Sequence, residues 1–366
     1  MWVTHLDLRD FRSYARAEVE LGAGVTVVHG HNGAGKTNLL EGLYFGCTGR
    51  SCRTRAEREL LRFGAGATRV QVGVADADGG HVLGVGFAPG EPKRLTVDGA
   101  EVERLSDSPF RPLIGVFLPE RLELIKGAPG LRRAHLDQVV GALWPSRSAH
   151  RLAYAQALSQ RNALLSRVRA GRSSSSSLSA WDLELARQAI ALRDDRAGAI
   201  ERLRGPFADH SQRLGLLGTA ELRYRPRSTA PTAEELAEEL AQRWTADLER
   251  GFTGHGPHRD ELLFLRDERD LKAFGSQGEQ RLALLALLLA ERDVITDVRR
   301  QPPLLLLDDV MSELDRDRRE LLAGVLGAAG QSVITATEPD QVPGAQDGRV
   351  ARLSVADGRV LTEAAA

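Results

Sequence analysis

Eight consecutive residues, Gly30-His31-Asn32-Gly33-Ala34-Gly35-Lys36-Thr37, satisfy the P-loop pattern G-x-x-x-x-G-K-[ST] at every fixed position. The residue types dictate the chemistry. Gly30, Gly33 and Gly35 let the backbone curl so that successive N–H groups, those of His31, Asn32 and Ala34 among them, turn inward onto phosphate oxygens. A helix opening near Gly35 aims its positive end at the same point. Lys36 brings a mobile charge to the outer phosphates of ATP, and Thr37 offers a hydroxyl to Mg²⁺. A chance Gly-rich turn would need no particular flanks. Here Val25-Thr26-Val27-Val28 reads as a short buried strand, and Asn38-Leu39-Leu40-Glu41-Gly42-Leu43-Tyr44-Phe45 starts a helical pattern.

A second group of candidates lies 271 residues beyond Thr37 (308 − 37). Leu304-Leu305-Leu306-Leu307-Asp308-Asp309 is an apolar run ending in two carboxylates. Buried parallel strands have this form, and their carboxyl ends face the ligand crevice. Asp308 is placed to hold Mg²⁺ together with Thr37, directly or through water. Asp309 is the candidate to orient or deprotonate the attacking water.

Upstream of Asp308 by 32 residues (308 − 276) stands Phe274-Gly275-Ser276-Gln277-Gly278-Glu279-Gln280-Arg281, a Gly-flanked turn opening a long helical pattern over 279–299. Ser276, Gln277, the N–H of Gly278 and the helix N-terminus make a second phosphate-binding surface. Lys36, Asp309 and Ser276 are thus the catalytic candidates.

Elements from distant parts of the chain must bring these groups together. A minimal P-loop domain needs no such gap, so the nucleotide-binding lobe must be built from both ends around an insertion. The expected division is 1–135, the N-terminal part with the P-loop and an antiparallel sheet; 136–255, an inserted helical lobe with an arm; and 256–366, the C-terminal part. Residues 2–8 and 17–21 alternate as strands, with Phe11-Arg12-Ser13-Tyr14 turning the chain between them. Arg12 and Tyr14 are weighed as contacts to a base or phosphate against a plain turn with one surface Arg. Residues 70–75, 81–87 and 95–102 continue the antiparallel sheet, with Asp98-Gly99 at a turn.

Arg132 and Arg133 follow a Gly-Pro loop and open a helix, as phosphate contacts or as a solvated helix start. Between 146 and 178 there are six arginines (Arg147, Arg151, Arg161, Arg167, Arg169 and Arg172) and no Asp or Glu. Apolar residues recur there at helical spacing, a run of serines follows, and a second apolar stripe begins at Trp181. Two helices joined by a tip make a short antiparallel arm. Its positive charge is read as a DNA contact, against a merely solvated face. Thr232 and Glu235 form a capping box for one helix carrying Leu236, Leu240, Trp244 and Leu248 on its packing face.

Composition sets the bounds. The chain has 366 residues, 42% of them hydrophobic and 27% charged, with net charge −1. A nucleic-acid partner must therefore be met by a local patch. Cys47 and Cys52 are the only cysteines, without partners at zinc spacing, and Cys47 is expected to pack behind the P-loop helix. The first ten residues carry no apolar h-region, and the longest apolar run, 282–290, is too short to span a bilayer. A cytoplasmic protein without membrane contact is the expectation.

The stretch 274–281 resembles the signature motif of ABC-type ATPases, and Ser312-Glu313-Leu314-Asp315 resembles their D-loop. In that superfamily the signature binds the γ-phosphate held by a second subunit. The resemblance narrows with Phe11-Arg12-Ser13-Tyr14, Phe117-Leu118-Pro119-Glu120, Lys126-Gly127-Ala128-Pro129 with Arg132-Arg133, Gly256-Pro257-His258-Arg259-Asp260, and Leu307-Asp308-Asp309-Val310. These blocks, in this order and spacing, are similar to those of the RecF family of bacterial DNA replication and repair ATPases. The match runs from residue 2 to about 340 and is thinner in the arm and the last twenty-five residues.

The resemblance implies an α/β fold: a P-loop ABC/SMC-type ATPase head built from both chain ends, with an inserted mainly helical lobe carrying a short antiparallel helical arm. It implies ATP and Mg²⁺ as cofactors, an ATP-dependent homodimer on double-stranded DNA near single-strand gaps, slow hydrolysis that releases it, and work with RecR and RecO to load RecA. Departures from transporter ATPases bear on turnover. Glu120 stands where they carry Gln, Thr337 where they carry His, and Asp309 where they carry Glu. An Asp reaches one methylene less far and is a slightly weaker base, so slow turnover is expected. The rival readings are an SMC-like clamp of other chromosome function, a transport ATPase subunit and a P-loop kinase. The long insertion argues against the transporter, and the turn at Ser276 has no role in the kinase.

Overall fold

A computed structural model describes residues 1–328 and 330–363. The chain divides into two compact units. One comprises Met1–Arg121, Arg213–Gly215 and the chain from Ile295 onward; the other comprises Leu122–Gln212 and Leu216–Val294.

In the first unit, strands from both chain ends interleave. Among the described residues, one six-stranded sheet runs in the order Arg359–Glu363, Ala351–Ala356, Val25–His29, Ser332–Ala336, Leu304–Leu307, Ile114–Phe117. All its pairings are parallel except the first, which is antiparallel. The strand leading into the P-loop sits between two strands from beyond residue 330, so neither chain end can form this sheet alone. Its register aligns His29 with Ala336 and Leu307 with both Ile334 and Phe117. The P-loop, Asp308 and Pro119-Glu120 therefore all begin at the carboxyl edge of the sheet, where ligands of open α/β sheets bind.

A second six-stranded sheet is antiparallel, in the order Tyr14–Glu20, Trp2–Phe11, Thr68–Ala75, Gly80–Phe87, Arg94–Val97, Ala100–Glu101. The helix Lys36–Thr48 buries apolar residues around its circumference, as expected of a helix covered on more than one side. Leu39, Leu40, Leu43, Phe45 and Cys47 share one core with Leu6, Leu8, Val70 and Val72 of this sheet and with Leu304, Leu306, Val333 and Leu353 of the parallel one. Each fully buried Leu or Phe contributes about 1.5–3 kcal/mol.

The second unit carries the arm, Ser148–Arg169 and all but the last residue of Leu178–Arg213. The unit is not wholly helical. Strands Ala220–Arg225, Glu261–Arg266 and Arg269–Asp270 form an antiparallel sheet. Residues 256–294, expected with the ATPase lobe, pack here because Glu261–Arg266 pairs along its whole length with Ala220–Arg225. Residues 122–135 go the same way, Arg132 being bound to Glu261. The single helix expected after Thr232 is broken. Thr232 does cap Ala233–Ala241, accepting from Glu235 N, but the chain turns at Arg243 before Trp244–Arg250. The break sends Leu236 and Leu240 into one apolar cluster and Trp244 and Leu248 into another.

Candidate nucleotide site and signature turn

Two glycines of the P-loop are required by their surroundings. Gly30 has φ 148°, and a Cβ there would lie 2.2 Å from the Val355 carbonyl oxygen. Gly35 has φ 117°, and its Cβ would lie 2.9 Å from both Ser13 Oγ and Tyr14 Oη. The turn after the first strand thus braces the loop: fully buried Tyr14 donates its hydroxyl to the Gly35 carbonyl at 2.9 Å. Neighbouring Arg12 makes a two-pronged bond to Glu41 of the P-loop helix, at 2.8 and 2.9 Å. Glu41 is fully buried and also accepts from Ser51 Oγ at 2.5 Å and Arg53 at 3.4 Å. Of the two readings open for Arg12 and Tyr14, the geometry supports neither outright, because both are supports of the loop.

Lys36 Nζ curls over the loop, donating to the carbonyls of Gly30 at 2.6 Å and His31 at 3.0 Å. Burial lowers its pKa, opposed by the charges of Asp309 and Asp308. Both carboxylates therefore act on the ammonium that the sequence assigns to the phosphates.

Asp308 is the centre of the site. Its backbone N–H is held by the Phe117 carbonyl at 2.9 Å. Its carboxylate accepts from Thr37 Oγ1 at 3.0 and 2.8 Å and from Thr335 Oγ1 at 2.7 Å. Burial raises its pKa; the Thr335 and Thr37 hydrogen bonds oppose this, while the charges of Asp309 and Glu120 add to it. A buried carboxylate whose neighbours are carboxylates is a site for a cation. With the Thr37 hydroxyl it supplies the hard oxygen donors that Mg²⁺ takes, so the residues present fit that ion. No cluster of three or more His, Cys, Asp or Glu suited to a metal occurs among the described residues.

Asp309 adopts a left-handed conformation, φ 48°, which Asp tolerates better than most residues. Its N–H donates to Thr335 Oγ1 at 2.9 Å, and its carbonyl accepts from Ser312 Oγ at 2.9 Å. This fixes the backbone while the residue itself stays exposed. Glu120 is exposed, with Arg53 at 3.9 Å, and Thr337 offers its carbonyl to Gly30 N at 3.3 Å. Thr335, which links Asp308 to Asp309, is one of two hydroxyl residues in the strand Ser332–Ala336, and nothing in the sequence singles it out from Ser332.

In the second unit, Ser276, Gln277 and Gly278 are exposed at the start of the helix Gln277–Arg299. Ser276 and Glu279 cap it reciprocally: Ser276 N donates to the Glu279 carboxylate at 2.7 Å, and Glu279 N to Ser276 Oγ at 3.3 Å. Gln280 anchors the turn from inside, donating to the carbonyls of Leu271 and Gly275 at 2.7 and 3.1 Å.

The arginines proposed for DNA separate into two classes. Arg161 is fully buried and bonded to Asp182 at 2.6 Å and Asp247 at 2.8 Å. Arg132 is 3% exposed, with Glu261 at 2.7 Å and three backbone carbonyls as partners. Neither can reach a phosphate, which corrects the expectation for both. Arg133 is half-buried on the Asp260 carbonyl. Arg147 lies over Trp144, 4.3 Å from the ring centroid, and pairs with Asp195 at 3.0 Å. Arg151 and Arg167 remain exposed, as do Arg169 and Arg172. The run without carboxylates is thus neutralised in part from elsewhere, by Asp182, Asp195 and Asp247. No helix among the described residues is long and apolar enough to cross a membrane.

Known proteins share both the sequence and the fold. An AAA domain family model matches residues 5–83. The DNA replication and repair protein RecF of Streptomyces avermitilis is 38% identical over 379 residues, covering 98% of this chain and 99% of its own. A solved structure of the recombination mediator protein RecF-ATP in the RecFOR pathway superposes with a TM-score of 0.87 at 27% identity, covering 99% of this chain and 98% of that one. An Smc head bound to the C-winged helix domain of ScpA superposes with a TM-score of 0.61 at 17% identity, over 100% and 98% of the two chains, a likeness of fold alone.

Proposed function

The chain belongs to the RecF family of DNA replication and repair proteins, and from that premise we propose that it is an ATP-gated clamp on double-stranded DNA near single-strand gaps. The observation that carries this reading is the meeting of Thr37 and Asp308 beneath the P-loop. ATP binds through the backbone of residues 30–37 and Lys36, and Thr37 with Asp308 holds Mg²⁺, which neutralises phosphate charge. Asp309 orients the attacking water and takes its proton. Ser276, Gln277 and Gly278, exposed at a helix N-terminus, meet the γ-phosphate bound by a second copy. ATP thereby shifts the population from monomer to two-fold dimer, and hydrolysis reverses the shift.

The exposed arm arginines Arg151, Arg167, Arg169 and Arg172 give the dimer its hold on the DNA backbone. RecR is the partner in the cytoplasm, with RecO and RecA downstream. DNA stimulates a slow ATPase that serves as a release timer. The deciding experiment is sedimentation with and without ATP and Mg²⁺. Wild type should dimerise only with nucleotide, Lys36→Met should stay monomeric, and Ser276→Arg should bind ATP normally yet stay monomeric. A wild-type monomer at saturating nucleotide overturns the reading.

A further inference from the structure

The helix Gln277–Arg299 presents the signature turn, yet most of what holds it is apolar. Leu282 through Ala290 are buried hydrophobic residues. Such contacts are non-directional and do not by themselves single out one rotation or register of the helix. Directional contacts stand at both ends of that run: at the turn Arg266 pairs with Glu279 and Gln280 donates to the Leu271 and Gly275 carbonyls, and beyond Ala290 two histidines bind carboxylates. His135 Nε2, from the helix Pro129–Leu143, donates to Glu291 Oε1 at 2.5 Å. His210 Nε2, from the second arm helix Leu178–Arg213, donates to Asp293 Oδ2 at 2.6 Å. Asp293 also accepts from neighbouring Arg292 at 2.7 and 2.9 Å.

Two residues along a helix turn it by about 200°, so Glu291 and Asp293 leave on opposite sides. The two imidazoles hold the helix from two directions, one from each neighbouring helix. The histidine side chains are only 11% and 5% exposed. Each also leaves its buried Nδ1 without a hydrogen-bond partner. Burying a nitrogen that way is unfavourable, so plain apolar packing would serve stability better. What the pairs add is register and rotation. From Gln277 to Glu291 is about 21 Å along the axis. A tilt of about 5° at the pairs would carry the signature turn about 2 Å, and a 1 Å misplacement at a reacting centre can cost about 100-fold in rate.

We propose that His135 and His210 are positioning residues for ATP hydrolysis, fixing through Glu291 and Asp293 the axis of the helix that delivers Ser276. This rests on the reading that Ser276 meets phosphate. The test compares the double variants His135→Ala/His210→Ala and His135→Gln/His210→Gln with wild type for kcat and ATP affinity. A Gln amide can donate to the same carboxylate. The Ala pair is expected to lose tenfold or more in kcat with ATP affinity within about twofold, and the Gln pair to recover most of that loss. Should the Ala pair not fold, Glu291→Gln/Asp293→Asn weakens the same bonds while keeping their shape and is expected to lose kcat likewise. Wild-type kcat in the Ala pair, or equal loss in the Ala and Gln pairs, overturns the proposal. Ser276→Arg separates the two ideas. If it hydrolyses ATP like wild type, the phosphate reading falls and takes this one with it; if it is inactive while the Ala pair is not, only the positioning role falls.

Discussion

Thr37 Oγ1 lies 2.8 and 3.0 Å from the two carboxylate oxygens of Asp308, residues 271 positions apart (308 − 37). The two meet because the P-loop strand and the Leu304–Leu307 strand stop at the same edge of one parallel sheet, with Ser332–Ala336 between them. Thr335 from that middle strand completes the arrangement by donating to Asp308 at 2.7 Å.

The first prediction concerns pH. Burial raises the Asp308 pKa, so this carboxyl keeps its proton to higher pH than an ordinary Asp. Mg²⁺ needs the ionised form and must displace that proton. Mg²⁺ affinity in the presence of ATP, measured by calorimetry from pH 8 down to pH 5, is expected to fall as protonation sets in above the usual carboxylate range. Asp308→Asn is expected to bind Mg²⁺ at least about tenfold more weakly and to lose the protein's share of the pH dependence. A pH profile shared by wild type and variant refutes the assignment.

Asp309 carries the second. Its left-handed backbone suits Asn as well, so Asp309→Asn removes the proposed base without straining the turn. Hydrolysis is expected to drop about 10²–10⁴-fold with ATP binding retained. The ATP-bound dimer should then persist through a sedimentation run. If it dissociates at the wild-type rate, Asp309 does not position the water.

Much of this site was legible in the sequence because its parts are local. The P-loop and the Leu304–Asp309 strand are contiguous runs whose residue types fix their own geometry. The hairpin strands, whose turn residues are Asp98 and Gly99, were legible for the same reason, both having positive φ. The illegible parts depend on distant partners. Arg161 looked uncompensated because its carboxylates, Asp182 and Asp247, lie 21 and 86 residues away. The strand Ala220–Arg225 has the alternation of a half-buried strand, but only its pairing with Glu261–Arg266 shows that it belongs to the second unit. From the sequence Tyr14 reads as a ligand contact or as part of a plain turn, and its place against Gly35 follows only from the close approach of the hairpin turn to the loop.

The arginines supply the third prediction, which separates fold from DNA binding. Arg161→Ala leaves Asp182 and Asp247 buried without their cation, and stripping one partner from a buried pair costs about 3–5 kcal/mol. Its urea midpoint should drop sharply. Arg167→Ala, Arg169→Ala and Arg172→Ala combined should leave that midpoint within experimental scatter. The triple variant should instead flatten the plot of log affinity for duplex DNA against log salt, by about 0.9 for each phosphate no longer neutralised. An unchanged slope returns these side chains to an ordinary solvated face.

His258 gives the fourth. Its Nε2 donates to the Thr253 carbonyl at 2.9 Å, which leaves Nδ1 as the acceptor of the Tyr154 hydroxyl at 2.6 Å. Burial holds its pKa down to about 4, helped by the charges of Arg259 and Arg133 and opposed by the Thr253 bond and Asp260. An unfolded imidazole titrates near 6.5. Between these values the unfolded chain binds the proton and the folded chain does not, so the stability tied to neutral His258 is complete above about pH 6.5 and is lost as pH falls toward 4. The gap of about 2.5 pKa units corresponds to about 3 kcal/mol. His258→Gln cannot titrate. In urea unfolding at pH 7, 6 and 5, wild type should lose stability relative to this variant at each step, and parallel curves would show that the imidazole does not carry the acid sensitivity.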